Sequence, residues 1–201
     1  MKQENINITL PEGSFNVSAD VFEDNDIKIF QEVYRDWCSL SNKLRGLNAR
    51  AVNLPEGLSE GAFCLFTNTY RLNNPKLGYG VHTSFDAYCP ITHKRIQIKA
   101  CSVIPDLTSF GPKSVWDEIY FLDFYKDGEW DGKFDVYHIP NEFIYNQLVN
   151  KTSTFKDFQD QGKRPRFSIY KEIIEGKSLL PVAKFDLFDE NTILNSLPMI
   201  K

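Results

Sequence analysis

The run Ser84-Phe85-Asp86-Ala87-Tyr88, a turn over residues 89–94, and then Arg95-Ile96-Gln97-Ile98-Lys99-Ala100 constrain the fold more than any other part of the chain. Ile96, Ile98 and Ala100 alternate with Gln97, Lys99 and Cys101. The two-residue period of a strand therefore sends the apolar set to one face and the polar set to the other. A turn centred between Ile91 and Thr92 makes the two runs an antiparallel hairpin and sets Asp86 opposite Gln97. Asp86, Gln97 and Lys99 then converge on one face.

That combination of groups has a definite chemistry. Magnesium takes hard oxygen ligands, typically one or two carboxylates with waters and phosphate oxygens, and Asp86, the Gln97 amide oxygen and a nearby backbone carbonyl are of that kind. Such an ion lowers the pKa of its bound water and neutralises the charge that develops in phosphodiester hydrolysis, while a lysine orients the water. The plain alternative is an amphipathic hairpin with solvated Asp, Gln and Lys. A D-x10-Q-x-K spacing arises by chance often enough that these residues alone leave both readings open.

At these residues the chain resembles the PD-(D/E)xK nuclease superfamily. Its pattern is an Asp on one strand and an acid, or sometimes Gln, two residues before a Lys on the next, preceded by a helix carrying a further Glu. Asn53-Leu54-Pro55-Glu56-Gly57-Leu58-Ser59-Glu60-Gly61-Ala62-Phe63 reads as that short helix, and Glu60 matches its carboxylate. The resemblance covers residues 40 to 190 and points to a type II restriction endonuclease, with a weaker likeness to the small subfamily that cuts GCNGC-like sites. It implies an α/β, restriction-endonuclease-like core, with a central mixed β-sheet of about five strands flanked by helices. It also implies Mg2+ held by Asp86, Gln97 and the Ile98 carbonyl, with Lys99 positioning water and Glu60 completing the charge. Two departures stand out. No proline precedes Asp86, and Gln97 replaces the commoner acid, which removes one negative charge from the metal site.

The implied substrate is double-stranded DNA cut at a short, palindromic site, and a palindrome is read by a twofold-symmetric protein, so a homodimer is expected. A structure-specific or repair nuclease and a catalytically silent DNA-binding relative remain as alternatives.

Composition agrees with one domain over residues 1–201: 42% of the 201 residues are hydrophobic, enough for a single sizeable core. No apolar run approaches the ~18 residues of a membrane span, and the polar start Met1-Lys2-Gln3-Glu4-Asn5 lacks a signal-peptide profile, so the expected site of action is cytoplasmic. Cys38, Cys64, Cys89 and Cys101 are irregularly spaced and read as reduced, partly buried thiols. Cys89 and His93 have a ligand-like gap, but no partner pair for zinc is visible. His82 and His138 read as packing or solvent-facing residues. A net charge of -4 argues against non-specific coating of nucleic acid, yet leaves room for a basic cleft.

The densest basic cluster is Gly162-Lys163-Arg164-Pro165-Arg166, where Lys163, Arg164 and Arg166 are candidates for phosphate or guanine contact. Ser109 and Lys113, on the loop over residues 104–114, and Arg45 and Arg50, near the end of the first long helix, are further DNA-contact candidates; each also fits a plain surface role. Residues 26–48 have helical spacing. Strands are expected over 79–88, 94–103, 115–124, 133–139, 166–170 and 182–187, and a short helix after Pro140. Asp117, Glu118 and Asp123 read as the solvent side of their strand. Residues 1–22 and 189–201 read as loose ends or dimer contacts.

Overall fold

In the computed structural model, which describes residues 1–73, 77, 84–189 and 191, the first long helix forms as α1 (Ile27–Gly46). Ile27, Phe30, Tyr34, Trp37 and Ser41 recur every three or four residues along it and are buried. Ile29, Val33 and Leu40, which belong to the same apolar pattern in the sequence, are exposed. The second helix, α2 (Glu56–Thr67), begins behind Pro55 and stops at Asn68, whose left-handed backbone ends the helix. Nine of its twelve residues, from Leu58 to Thr67, are buried, because it is packed between α1 and the sheet.

Among the described residues the sheet has eight strands rather than the expected five: β1 (Lys2–Leu10), β2 (Gly13–Val21), β3 (Tyr70–Leu72), β4 (Ala87–Tyr88), β5 (Arg95–Cys101), β7 (Glu118–Asp123), β8 (Lys133–Ile139) and β10 (Ala183–Asp186), in that spatial order. The β5–β7 pair is parallel, and the other neighbouring pairs of these eight are antiparallel. Much of the excess comes from residues 1–22, which are not loose ends. Ile6, Ile8 and Leu10 alternate with polar residues and oppose Val17, Phe15 and Gly13 across a regular hairpin. Ile8, Leu10, Val17 and Ala19 are buried with Leu72, Phe85 and Tyr88. Of the strand expected over 79–88, Ala87 and Tyr88 form β4; residues 79–83 and His82 lie outside the described residues.

Both faces of β5 are covered: Ile96 is 0%, Gln97 2% and Ile98 4% exposed. On the helix side Ile96 and Ile98 join Phe63, Tyr120, Leu122 and Phe134. On the other side Cys101, Phe121 and Tyr137 meet Phe110, Trp116, Phe155 and Phe167. Asp117, Glu118 and Asp123 are not simply a solvent face: Asp117 grips Arg95, Glu118 pairs with Lys94, and Asp123 is 2% exposed. All four cysteines are free thiols.

The remaining elements form a second unit over that face. β6 (Thr108–Ser109) pairs antiparallel with β9 (Arg166–Phe167), and α3 (Asn141–Tyr145) and α4 (Phe155–Asp160) pack nearby. The strand expected over 166–170 ends at Phe167, and a π-helix, Tyr170–Glu175, follows. Buried Asp106 supplies the cause. It accepts from the backbone N–H groups of Ile169 and Tyr170, both at 3.0 Å, and from the hydroxyls of Thr108 and Ser168. A carboxylate satisfying the first free amides of a helical turn favours the turn over a longer strand.

Replacing Asp106 by Ala leaves the buried Thr108 hydroxyl, the half-buried Ser168 hydroxyl and two amides without this acceptor. We expect a loss of about 3 kcal/mol of unfolding free energy, read as a lower urea midpoint. An unfolding free energy within about 0.5 kcal/mol of wild type, the size of a neutral surface change, contradicts the assignment.

Candidate active site

The cross-strand register places Ala87 opposite Ile96 and Tyr88 opposite Arg95, as the turn over Ile91 and Thr92 predicts, and the regular pairing ends there, one residue after Asp86. The Asp86 amide donates to the Ile96 carbonyl at 2.9 Å, holding that residue at the end of β4. Its carboxylate Oδ2 accepts from the Ile98 amide at 2.7 Å and from the Gln97 side-chain Nε2. The Gln97 amide thus presents its nitrogen to Asp86, and its Oε1 is the end not used in that bond. Gln97 is buried, so the solvated-hairpin alternative does not hold for it. Lys99 is half-buried, with its Nζ 5.6 Å from the centroid of the Phe110 ring.

Glu60 lies on α2, and its Oε2 accepts from Arg71 Nε at 2.9 Å. Arg71, on β3, also reaches Asp20 Oδ2 at 3.1 Å, and Asn73 bonds the other oxygen of Asp20 at 2.7 Å. Asp20 and Arg71 are direct cross-strand partners, and Arg71 in turn opposes Ala87, next to Asp86. The N-terminal hairpin is therefore tied to the Glu60 carboxylate through one arginine.

The electrostatics of the site favour a cation. Burial and the neighbouring Asp86 charge push the Glu60 carboxyl up to about 7, against the relief given by Arg71. Burial also raises Asp86, offset by the Lys99 ammonium and the Ile98 amide, with Glu56 adding negative charge nearby. Carboxylates held out of water near one another are relieved by a metal ion or by protons. Among the described residues no three His, Cys, Asp or Glu side chains group as a ligand cage. Two carboxylates with amide and backbone oxygens fit an ion that keeps several waters.

The two loops singled out in the sequence meet in space. Ser109 opposes Arg166 in the β6–β9 ribbon, and Arg166 Nε donates to Ser109 Oγ at 3.4 Å. Phe110, the next residue, stacks on Phe167 and is the ring beneath Lys99. Arg164 and Lys163 are exposed on the same ribbon, Lys163 bonding Gln161 at 2.7 Å. Lys113 is exposed, and its carbonyl accepts from Ser84, two residues before Asp86. Arg45 and Arg50 are not brought into this group by any bond. Arg45 lies 3.9 Å over the Trp130 ring, whose indole donates to the Ser102 carbonyl, and Arg50 is exposed. Residues the sequence reading passed over are Arg71, Asp20 and Asp106. A buried charge is invisible in a one-dimensional pattern, though Arg71 in the short run Tyr70-Arg71-Leu72 is a cation between apolar neighbours.

The family described as Bsp6I restriction endonuclease matches residues 22–176. The type II restriction enzyme Bsp6I of Bacillus sp. (strain RFL6) is 35% identical over 159 residues, covering 78% of this chain and 85% of the relative. The chain belongs to the Bsp6I restriction endonuclease family. It is thus a type II restriction endonuclease, a site-specific deoxyribonuclease. No solved structure matches it. The Bsp6I match includes Glu60, Asp86, Gln97, Lys99 and both strands of the β6–β9 ribbon, and it excludes the β1–β2 hairpin. Among the described residues no helix is long and apolar enough to cross a membrane.

The raised Glu60 carboxyl sets a pH dependence. A carboxyl at 4.5 when unfolded and at about 7 when folded contributes stability that is complete below 4.5 and lost as pH rises through 7. Metal-free protein should accordingly lose stability between pH 4.5 and 7 more steeply than Glu60→Gln, in thermal melts over that range. Parallel profiles for the two proteins argue against the buried, charge-crowded carboxylate.

Proposed function

We propose that the chain is a single domain, residues 1–201, that hydrolyses phosphodiester bonds of double-stranded DNA with Mg2+ at a short palindromic site, acting as a homodimer in the cytoplasm, where its DNA substrate lies. The observation that carries this is the register of β4 and β5, which puts Asp86 against Gln97 with Lys99 two residues on, beside the Glu60 carboxylate, in a restriction-endonuclease chain.

Asp86, the Gln97 amide oxygen and the Ile98 carbonyl would hold the ion, and Glu60 would complete the charge or hold a metal-bound water. The ion, when bound, supplies a water of lowered pKa and neutralises charge on the phosphate. Lys99 orients the attacking water and stabilises the developing charge on the phosphate oxygens. Asp86 is kept in place by the Ile98 amide, so its position does not depend on substrate. Gln97 carries no charge, which leaves the carboxylates Asp86 and Glu60 to set the attraction for the ion.

The β6–β9 ribbon is the element we assign to DNA contact. Ser109 and Arg166 face each other on it, Arg164 and Lys163 are exposed just before β9, and Phe110 couples it to Lys99. Lys113, Arg45 and Arg50 fit phosphate contacts at its margins. A ribbon anchored by a buried carboxylate gives its arginines a fixed approach, which base reading requires.

The chemistry is tested by plasmid cleavage with Mg2+ and with Ca2+. Discrete double-strand fragments with Mg2+ support the reading, and loss of at least about 100-fold in rate is expected for Asp86→Ala and for Lys99→Ala, with unchanged circular dichroism. Near wild-type cutting by either variant sinks the site assignment, and cutting only of branched DNA would make the enzyme structure-specific.

Reading and holding separate in the ribbon. If Arg164 or Arg166 contacts a guanine, its alanine variant loses about 1 to 3 kcal/mol of discrimination at one base pair. A phosphate contact instead weakens binding on all sequences and flattens the salt dependence. Binding to the cognate site and its single-base variants at two salt concentrations distinguishes the two, and unchanged affinity and specificity in both variants place recognition outside β9.

A further inference from the structure

The α1 helix carries a second apolar stripe that its own core does not use. Ile27, Phe30, Tyr34 and Trp37 face the sheet side, whereas Ile29, Val33, Leu40 and Leu47 are 51%, 38%, 50% and 76% exposed. With Asp36 and Lys43 these residues form an unbroken series, 29, 33, 36, 40, 43 and 47, whose steps alternate between four and three residues. That is the seam spacing of helices that pack along each other, with an aliphatic residue at four of its six positions. Surface leucines scattered singly need no explanation, but a seam along a helix of roughly 30 Å does.

We propose that this seam is the twofold interface between two copies of the chain, α1 packing antiparallel on the partner's α1. The inference rests on the homodimer reading above and names its surface. Charge decides the orientation. Asp36 within the seam and Glu32 beside it lie in the N-terminal half, and Lys43 within the seam lies in the C-terminal half. Among the described residues none of the three makes an ion pair. A parallel pair would set Asp36 beside the partner's Asp36 and Lys43 beside the partner's Lys43. An antiparallel pair centred between Asp36 and Leu40 sets Ile29 against the partner's Leu47, packs Asp36 beside the partner's Leu40, and brings Lys43 within reach of the partner's Asp36. The twofold axis repeats that ion pair, so each wrong placement is penalised twice.

The seam lies on the flank of α1 away from the residues that meet the C-terminal part of the chain: Gln31 bonds the Leu187 carbonyl, and Tyr34 and Arg35 contact Phe188. A second copy can therefore approach without displacing the described contacts.

Analytical ultracentrifugation of the full chain, without DNA, tests the interface with Leu40→Glu, Asp36→Lys and the exchange Asp36→Lys with Lys43→Asp. The wild type is expected to be a dimer. Each single variant should raise the dimer dissociation constant by about 100-fold, and the exchange should return it to within about tenfold of wild type, since only the sign of each pair is swapped. Circular dichroism should be unchanged, because these side chains lie outside the core. A dimer that survives both single substitutions overturns this interface and leaves the homodimer reading standing. A wild type that stays monomeric overturns both. If Leu40→Glu lowers thermal stability only as much as deletion of residues 192–201 does, with association unaltered, the chain's own end covers the seam and the inference falls.

Discussion

The bond from the Ile98 amide to the Asp86 carboxylate fixes the centre of this protein. It is made across the strand pair that also sets Gln97 beside Asp86, so one register determines the position of the carboxylate, the orientation of the amide and the face on which Lys99 emerges. A slip of one residue would turn Gln97 and Lys99 toward α2 and bring Ile96 and Ile98 to the site, reversing every side chain at once. Burial on both faces of β5 prevents that slip. Ile96 and Ile98 fit the cluster on the helix side, whereas Gln97 has its hydrogen-bond partner, Asp86, on the other.

That rigidity has an electrostatic cost which is borne at the carboxylates. Asp86 and Glu60 both sit where their charged forms are disfavoured, and Arg71 is the counter-charge that holds Glu60 in place. Arg71 depends in turn on Asp20, on a hairpin outside the family match. The candidate site, which lies within the family match, is thus braced in this chain by an element at the sheet edge. Carboxylates shifted by burial and by one another, beside a specific counter-charge, mark a candidate functional site.

A second anchor works at longer range. Asp106 gathers two backbone amides and two hydroxyls from segments about sixty residues apart in sequence, a separation visible in its bonds to Thr108 and Tyr170. By doing so it closes two loops into one ribbon and sets Arg166 beside Ser109. Phe110 and Phe167 then stack, and the ribbon lies against Lys99. The side chains proposed for DNA contact and those proposed for hydrolysis are thereby drawn together through a single buried acid.

The polar face of β5, the hairpin register and the helix bearing Glu60 were legible in the sequence, because strand and helix periods are local properties that a run of residues states directly. The family likeness followed from those same residues. The residues missed are of another kind. Arg71 and Asp106 derive their roles from partners distant in the chain, and nothing adjacent to them announces those partners. The N-terminal hairpin, which reads in the sequence as a loose end or a dimer contact, is not loose; alternation in a polar run is weak until it has a sheet edge to join. On α1, sequence periodicity merged two stripes that only packing separates, since a helix rotates through its contacts and the core takes one arc of it. By itself, then, the sequence determined which side chains share a strand face or a helix turn. Tertiary structure alone decided which of those faces meet, because burial, charge pairing and ribbon closure depend on distances that only the folded chain defines.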